Sequence, residues 1–110
     1  MQLPHKENAY VPFEKLTDYL LSPLHSVGKH KMRVLRKVGF DEANIEKLEN
    51  ALLEIAKKET ITQTLQTNYG MKYVIDGILN SPNGTTIKIR TIWIIEHEKT
   101  TPRFVTLYPL

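Results

Sequence analysis

Apolar positions recur at helical spacing through the first half of the chain and alternate with polar ones through the second. Phe13, Leu16 and Leu20 fall at i, i+3 and i+7, which places them on one stripe of a helix running from Pro12 to about Leu21. Proline suits the first turn of such a helix, where no amide hydrogen is needed, and Ser22-Pro23 stops it. A second helix is expected from about Ser26, with Met32, Leu35 and Val38 on its apolar side and Gly39 as a left-handed stop. Asp41 reads as the N-cap of a third helix, in which Ile45, Leu48, Leu52 and Ile55 repeat at helical spacing as far as about Lys58. Residues 1–11 are polar and without periodicity, so they are expected to form a loose arm, with residues 12–110 as a single α+β domain.

From Thr60 the period falls to two and β-branched residues take over, beginning with Ile61 and Leu65. Asn68-Tyr69-Gly70 turns into a strand from about Met71 to Leu79, and Ser81-Pro82-Asn83-Gly84 makes a hairpin to a strand from Thr85 to about His97. A fourth strand spans Arg103 to Tyr108. The fold class is therefore α+β: three N-terminal helices packed on one face of a four-stranded antiparallel sheet, the other face at least partly open to solvent. In the third strand Ile87 and Ile89 take the core side and Lys88 and Arg90 face outward. Ile92 and Ile94 break that alternation, so either both faces are partly buried or a bulge intervenes, and Trp93 is either a core anchor or a stacking platform. In the fourth strand Phe104, Thr106 and Tyr108 alternate with Val105 and Leu107, and the first set is placed on the open face near Arg90.

Composition narrows the chemistry. The chain has 110 residues, 41% of them hydrophobic and 25% charged, so an ordinary core that buries roughly two-thirds of the unfolded surface is expected. It has no cysteine, which excludes disulfides, thiolate zinc sites and Cys nucleophiles and agrees with a cytoplasmic location. The longest apolar run, residues 92–95, is too short to cross a membrane, and the first residues do not resemble a signal peptide. There is no Gly-rich phosphate loop, no Gly-x-Ser-x-Gly elbow and no zinc-spaced histidine pair. Neither cofactor nor metal is expected. Glu96-His97-Glu98 is a poor ligand set, because consecutive strand residues point to opposite faces.

Charge adds one asymmetry to a modest net +3. The second helix carries Lys29, His30, Lys31, Arg33, Arg36 and Lys37, and no acidic residue lies between Asp18 and Asp41. At 100° per residue, Lys29, Arg33, Arg36 and Lys37 share a face opposite Met32, Leu35 and Val38. Such a stripe can follow phosphates, or it can be a solvated face balanced by the acidic third helix. His25 precedes Gly28 in the loop before this helix, where an imidazole and backbone amides can meet a phosphate. Arg90, Thr106 and Tyr108 together can also bind one, although Thr and Tyr favour strands for packing alone.

The segments Lys15-Leu16-Thr17-Asp18-Tyr19-Leu20-Leu21, His25-Ser26-Val27-Gly28-Lys29-His30-Lys31, Lys72-Tyr73-Val74-Ile75-Asp76-Gly77, Arg90-Thr91-Ile92-Trp93 and Arg103-Phe104-Val105-Thr106-Leu107-Tyr108-Pro109 resemble a family of small bacterial domains of unknown function linked to toxin systems. More distantly, the order of helices and antiparallel sheet is similar to the barnase, EndoU, colicin and RelE group of ribonucleases. That resemblance implies metal-independent RNA cleavage through attack of the ribose 2′-hydroxyl on the adjacent phosphate. Its pattern falls on His25, Gly28, Lys29 and Lys31 at the loop-to-helix junction and on Arg90, Thr91, Thr106 and Tyr108 in the strands. The implied roles are a proton-transfer group at His25, phosphate binding by Lys29 and Arg90, and orientation by Thr106 and Tyr108. Lys31, Arg33, Arg36, Lys37 and Thr91 are then RNA contacts. The alternative is a non-catalytic RNA- or protein-binding module of a toxin–antitoxin type system, and either way the expected partners are RNA and an antitoxin or immunity protein.

Overall fold

The four expected strands are β1 Ile61–Gln66, β2 Gly70–Asn80, β3 Thr86–Glu96 and β4 Arg103–Pro109, in a computed structural model that describes residues 1–20 and 29–110. They form an antiparallel meander in the order β1-β2-β3-β4. The hairpin turn sets the register. The Gly84 amide donates to the Ser81 carbonyl at 3.0 Å and the Asn83 side-chain oxygen accepts from the Thr85 amide at 2.9 Å, so pairing runs unbroken from Asn80↔Thr86 to Gly70↔Glu96.

Odd-numbered residues of β2 and β3 face the core. Tyr73, Ile75, Leu79, Ile89 and Trp93 lie in one buried cluster with Leu35, Val38, Leu48, Leu52 and Ile55 of the helices. Trp93 is a core anchor, fully buried and edge-on to Phe104 with ring centroids 5.4 Å apart. The anticipated irregularity lies opposite it. Ile92 pairs with Thr106 and Trp93 with Phe104, so Val105 is an extra residue in β4. This bulge reverses the phase of β4 and puts Phe104 on the core face, not beside Thr106 and Tyr108 as simple alternation requires.

The helical half agrees with expectation only in part. The second helix, α1 (Lys29–Lys37), buries Met32, Leu35 and the following Val38, and Gly39 at φ +104° ends it. The third begins as expected at Asp41, whose carboxylate accepts from the Ala43 amide while Asn44 accepts from the Asp41 amide, both at 2.8 Å. A 3₁₀ turn, Glu42–Asn44, then leads into α2 (Ile45–Lys58), which buries Leu48, Leu52, Ile55 and Ala56. The first segment is not an α-helix but a short π-helix, Lys15–Leu20. Leu16 is buried there, whereas Phe13 is 65% exposed. Wider i→i+5 winding takes residues three apart off a common face. Ser22-Pro23 and the start of the second helix near Ser26 lie outside the described residues.

Residues 1–11 are not a loose arm. Leu3 and Val11 belong to the core, the Ile61 amide donates to the Met1 carbonyl at 2.7 Å, and Tyr10 bridges to Arg103 beside β4 through two backbone bonds of 3.0 Å. Pairing with a distant strand supplies the order that local periodicity does not.

At Gly77 α2 packs tightly on the sheet, since a Cβ there would lie 2.9 Å from the Ile55 side chain. Ile55 is branched and itself buried, so it cannot swing away cheaply. Gly77→Ala is expected to destabilise the fold by about 1–3 kcal/mol, measured as a lower urea midpoint. An unchanged midpoint would mean that α2 shifts without cost.

Candidate functional site

Cross-strand partners share a face, so the register defines what stands on the sheet side turned away from α2. Tyr108 is opposite Arg90 and Arg90 opposite Asp76. Thr106, two residues from Tyr108, is opposite Ile92 and next to Val74 across β3. Lys31 enters this group from α1, which lies against β4. Its ammonium donates to Thr106 Oγ1 at 2.6 Å and stands 4.2 Å from the centroid of the Tyr108 ring. Four groups from three elements therefore come together: Lys31, Arg90, Thr106 and Tyr108.

Their exposures differ in a useful way. Lys31 and Thr106 are buried, at 7% and 8%, while Tyr108 is 47% exposed. A cation held by a hydroxyl and an aromatic face is fixed in place; cation–π contacts of this kind contribute about 0.5–2 kcal/mol. Arg90 is fixed by a fork-on-fork pair, Nε to Asp76 Oδ1 at 2.8 Å and Nη2 to Oδ2 at 3.0 Å. Hydrogen bonding to Arg90 holds the Asp76 carboxyl below its ordinary range, so Asp76 stays ionised at neutral pH. Arg90 keeps Nη1 and one hydrogen of Nη2 for other acceptors. On the same face Arg103 pairs with Glu96 at 3.1 Å, with Val74 and Ile94 buried between the two ion pairs. The face is therefore only partly open.

Of the other expected site residues, Thr91, Arg33, Arg36 and Lys37 stand elsewhere. Thr91 is fully buried on the core face, where its hydroxyl donates to the Ile75 carbonyl at 2.7 Å and accepts from Trp93 Nε1 at 2.9 Å. It is a packing group, not a surface contact. Arg36 pairs with Glu42 at the corner before α2, with Nη1 to Oε2 at 3.0 Å, while Arg33 and Lys37 are exposed on α1. His25 and Gly28 lie outside the described residues, as does the side chain of Lys29.

Two features went unread in the sequence although their signals were there. Lys31 precedes Leu35 and Val38 by one and two helical turns, so it lies on their stripe and faces inward. Asp76 and Arg90 are equidistant from Asn83 in the hairpin turn, and counting outward from that turn pairs them. Among the described residues no three His, Asp or Glu side chains gather as a metal-ligand set, and no helix is long and apolar enough to cross a membrane.

No curated protein matches the chain. A solved structure, "Contact-dependent growth inhibition toxin - immunity protein complex from Klebsiella pneumoniae 342", contains a chain that superposes with a TM-score of 0.74 over 94% of this chain and 95% of that one, at 17% identity. A likeness at that identity establishes a shared α+β fold. The sequence profile of the family described as "Domain of unknown function (DUF6883)" matches residues 2–110, practically the whole length, and the chain belongs to that family.

Proposed function

We propose that this chain is the RNA-cleaving domain of a toxin–immunity system, acting without a metal. The observation that carries the reading is the meeting of Lys31 from α1, Arg90 from β3 and Thr106 and Tyr108 from β4 on one sheet face. Buried or chelated cations beside two hydroxyls suit a phosphodiester whose charge grows as its phosphorus becomes five-coordinate. The shared fold with a chain of a toxin–immunity complex supports the biological setting, and an immunity protein that covers this face is the corresponding partner.

In the reaction the ribose 2′-oxygen attacks the adjacent phosphorus and the bond from phosphorus to the 5′-oxygen breaks. The products are a 2′,3′-cyclic phosphate and a 5′-hydroxyl. One group takes the proton from the 2′-hydroxyl and another gives a proton to the 5′-oxygen. His25 is the candidate for one of these roles and Tyr108 for the other, while Lys31 and Arg90 hold the non-bridging oxygens. The exposed Arg33 and Lys37 follow the RNA backbone.

Incubation of the purified chain with total RNA in EDTA tests this. Cleavage to cyclic-phosphate ends is expected, slowed by about 10²–10⁴-fold in His25→Ala. RNA left intact at high protein concentration would overturn the nuclease reading and leave a non-catalytic partner-binding module.

A further inference from the structure

We propose that Lys88 holds a second phosphate next to the one at Arg90, which makes the substrate single-stranded RNA with at least one phosphate flanking the cleaved one. This deepens the nuclease reading and rests on it.

Lys88 and Arg90 are two residues apart on β3 and face the same way. Strand geometry puts such positions about 6.6–6.8 Å apart, a separation comparable to that of successive phosphates in an extended single strand. The two cations differ in what surrounds them. Arg90 is chelated by Asp76, whereas Lys88 is exposed and, among the described residues, has no carboxylate within ion-pair distance. Its backbone is fixed, because Lys88 sits inside the β2–β3 ladder opposite Ile78 and its carbonyl accepts from the Leu110 amide at 2.9 Å. Only the side chain is free to move toward a phosphate.

The neighbours of Lys88 favour unpaired bases. Ile78, directly across β2, is 55% exposed, and Tyr108, across β4 from Arg90, is 47% exposed. An apolar side chain and a ring thus stand on either side of the Lys88–Arg90 row. Bases can rest on both only if they are turned out of a duplex, which is how sheet surfaces read single strands.

The experiment uses the full chain and three substrates: a dinucleoside monophosphate, a single-stranded oligoribonucleotide, and the same oligonucleotide annealed to its complement. Lys88→Ala is expected to raise KM about tenfold on the single strand with kcat little changed, and to make the dependence of log affinity on log salt shallower by about 0.7. On the dinucleoside monophosphate, which has no flanking phosphate, the variant should equal wild type. Lys47→Ala, which removes the same charge from the exposed side of α2, should change neither quantity. An unaltered KM and salt slope in Lys88→Ala on the single strand would overturn the proposal, as would duplex cleaved as fast as single strand. If wild type cleaves no RNA at all, the nuclease reading fails separately. Fluorescence anisotropy of the labelled single strand then decides, with a shallower slope in Lys88→Ala supporting the subsite and an unchanged slope overturning it.

Discussion

Lys31→Met is expected to lower RNA cleavage by about 10²–10³-fold, the range seen when one preorganised donor to a developing oxyanion is removed. Methionine keeps the apolar stem and all but the terminal atom of the side chain, so it fills most of the same space between α1 and β4. It cannot donate to Thr106 Oγ1, a contact of 2.6 Å in a buried setting, nor stand as a cation over Tyr108. Removing one partner of a buried hydrogen bond costs about 1–3 kcal/mol, whereas removing both with groups of similar shape is nearly neutral. Lys31→Met with Thr106→Val should therefore regain the part of the lost stability that this one bond accounts for and none of the lost activity. That separation, read by urea unfolding beside cleavage rates, distinguishes a chemical role from a structural one. If Lys31→Met cleaves RNA as wild type does, Lys31 is only a packing residue and the site loses its centre.

What the sequence disclosed depended on whether the deciding interaction was local. Asp41 and Gly39 bracket a helix corner through their own backbone and side-chain chemistry, and both were legible. Asn83-Gly84 fixed a hairpin, and with it the facing of Ile87, Lys88, Ile89 and Arg90. Failures came where a distant partner decides. Leu3 is buried because β1 and β4 accept the N-terminal residues against them, and nothing within residues 1–11 says so. Phe104 turns to the core because Val105 bulges opposite Ile92 and Trp93, and a phase change of one residue leaves no compositional trace. Phe13 is exposed just ahead of the π-helix Lys15–Leu20, whose wider winding does not keep the 3.6-residue period that groups Phe13 with Leu16. Of the candidate site, Arg90, Thr106 and Tyr108 follow from alternation, which applies to Thr106 and Tyr108 because both lie beyond the bulge. Thr91 is a surface contact only in the pattern the family resemblance implies; alternation from Ile87 and Ile89 puts it, like Trp93, on the core side, an assignment obscured by apolar Ile92 and Ile94 at even positions.

Thr91 carries the second large effect. Its hydroxyl is both donor and acceptor in a buried relay, from Trp93 Nε1 through Thr91 Oγ1 to the Ile75 carbonyl. Thr91→Val keeps the shape and leaves the indole N–H without its acceptor, at an expected cost of about 1–3 kcal/mol. Trp93→Phe removes the donor with part of the ring, and the double substitution should cost less than the sum of the two, because the unsatisfied N–H is then absent. Trp93→Ala should cost about 3–5 kcal/mol, a large part of the roughly 5–15 kcal/mol that holds a domain of this kind together. Urea unfolding of wild type, Thr91→Val, Trp93→Phe and the double variant gives the coupling directly. If Thr91 belongs to the core and not to the RNA surface, Thr91→Val must keep the wild-type KM and kcat at temperatures well below its melting point, however much its midpoint falls. A raised KM in the folded variant would return Thr91 to the binding face and contradict the burial that defines the β3 register.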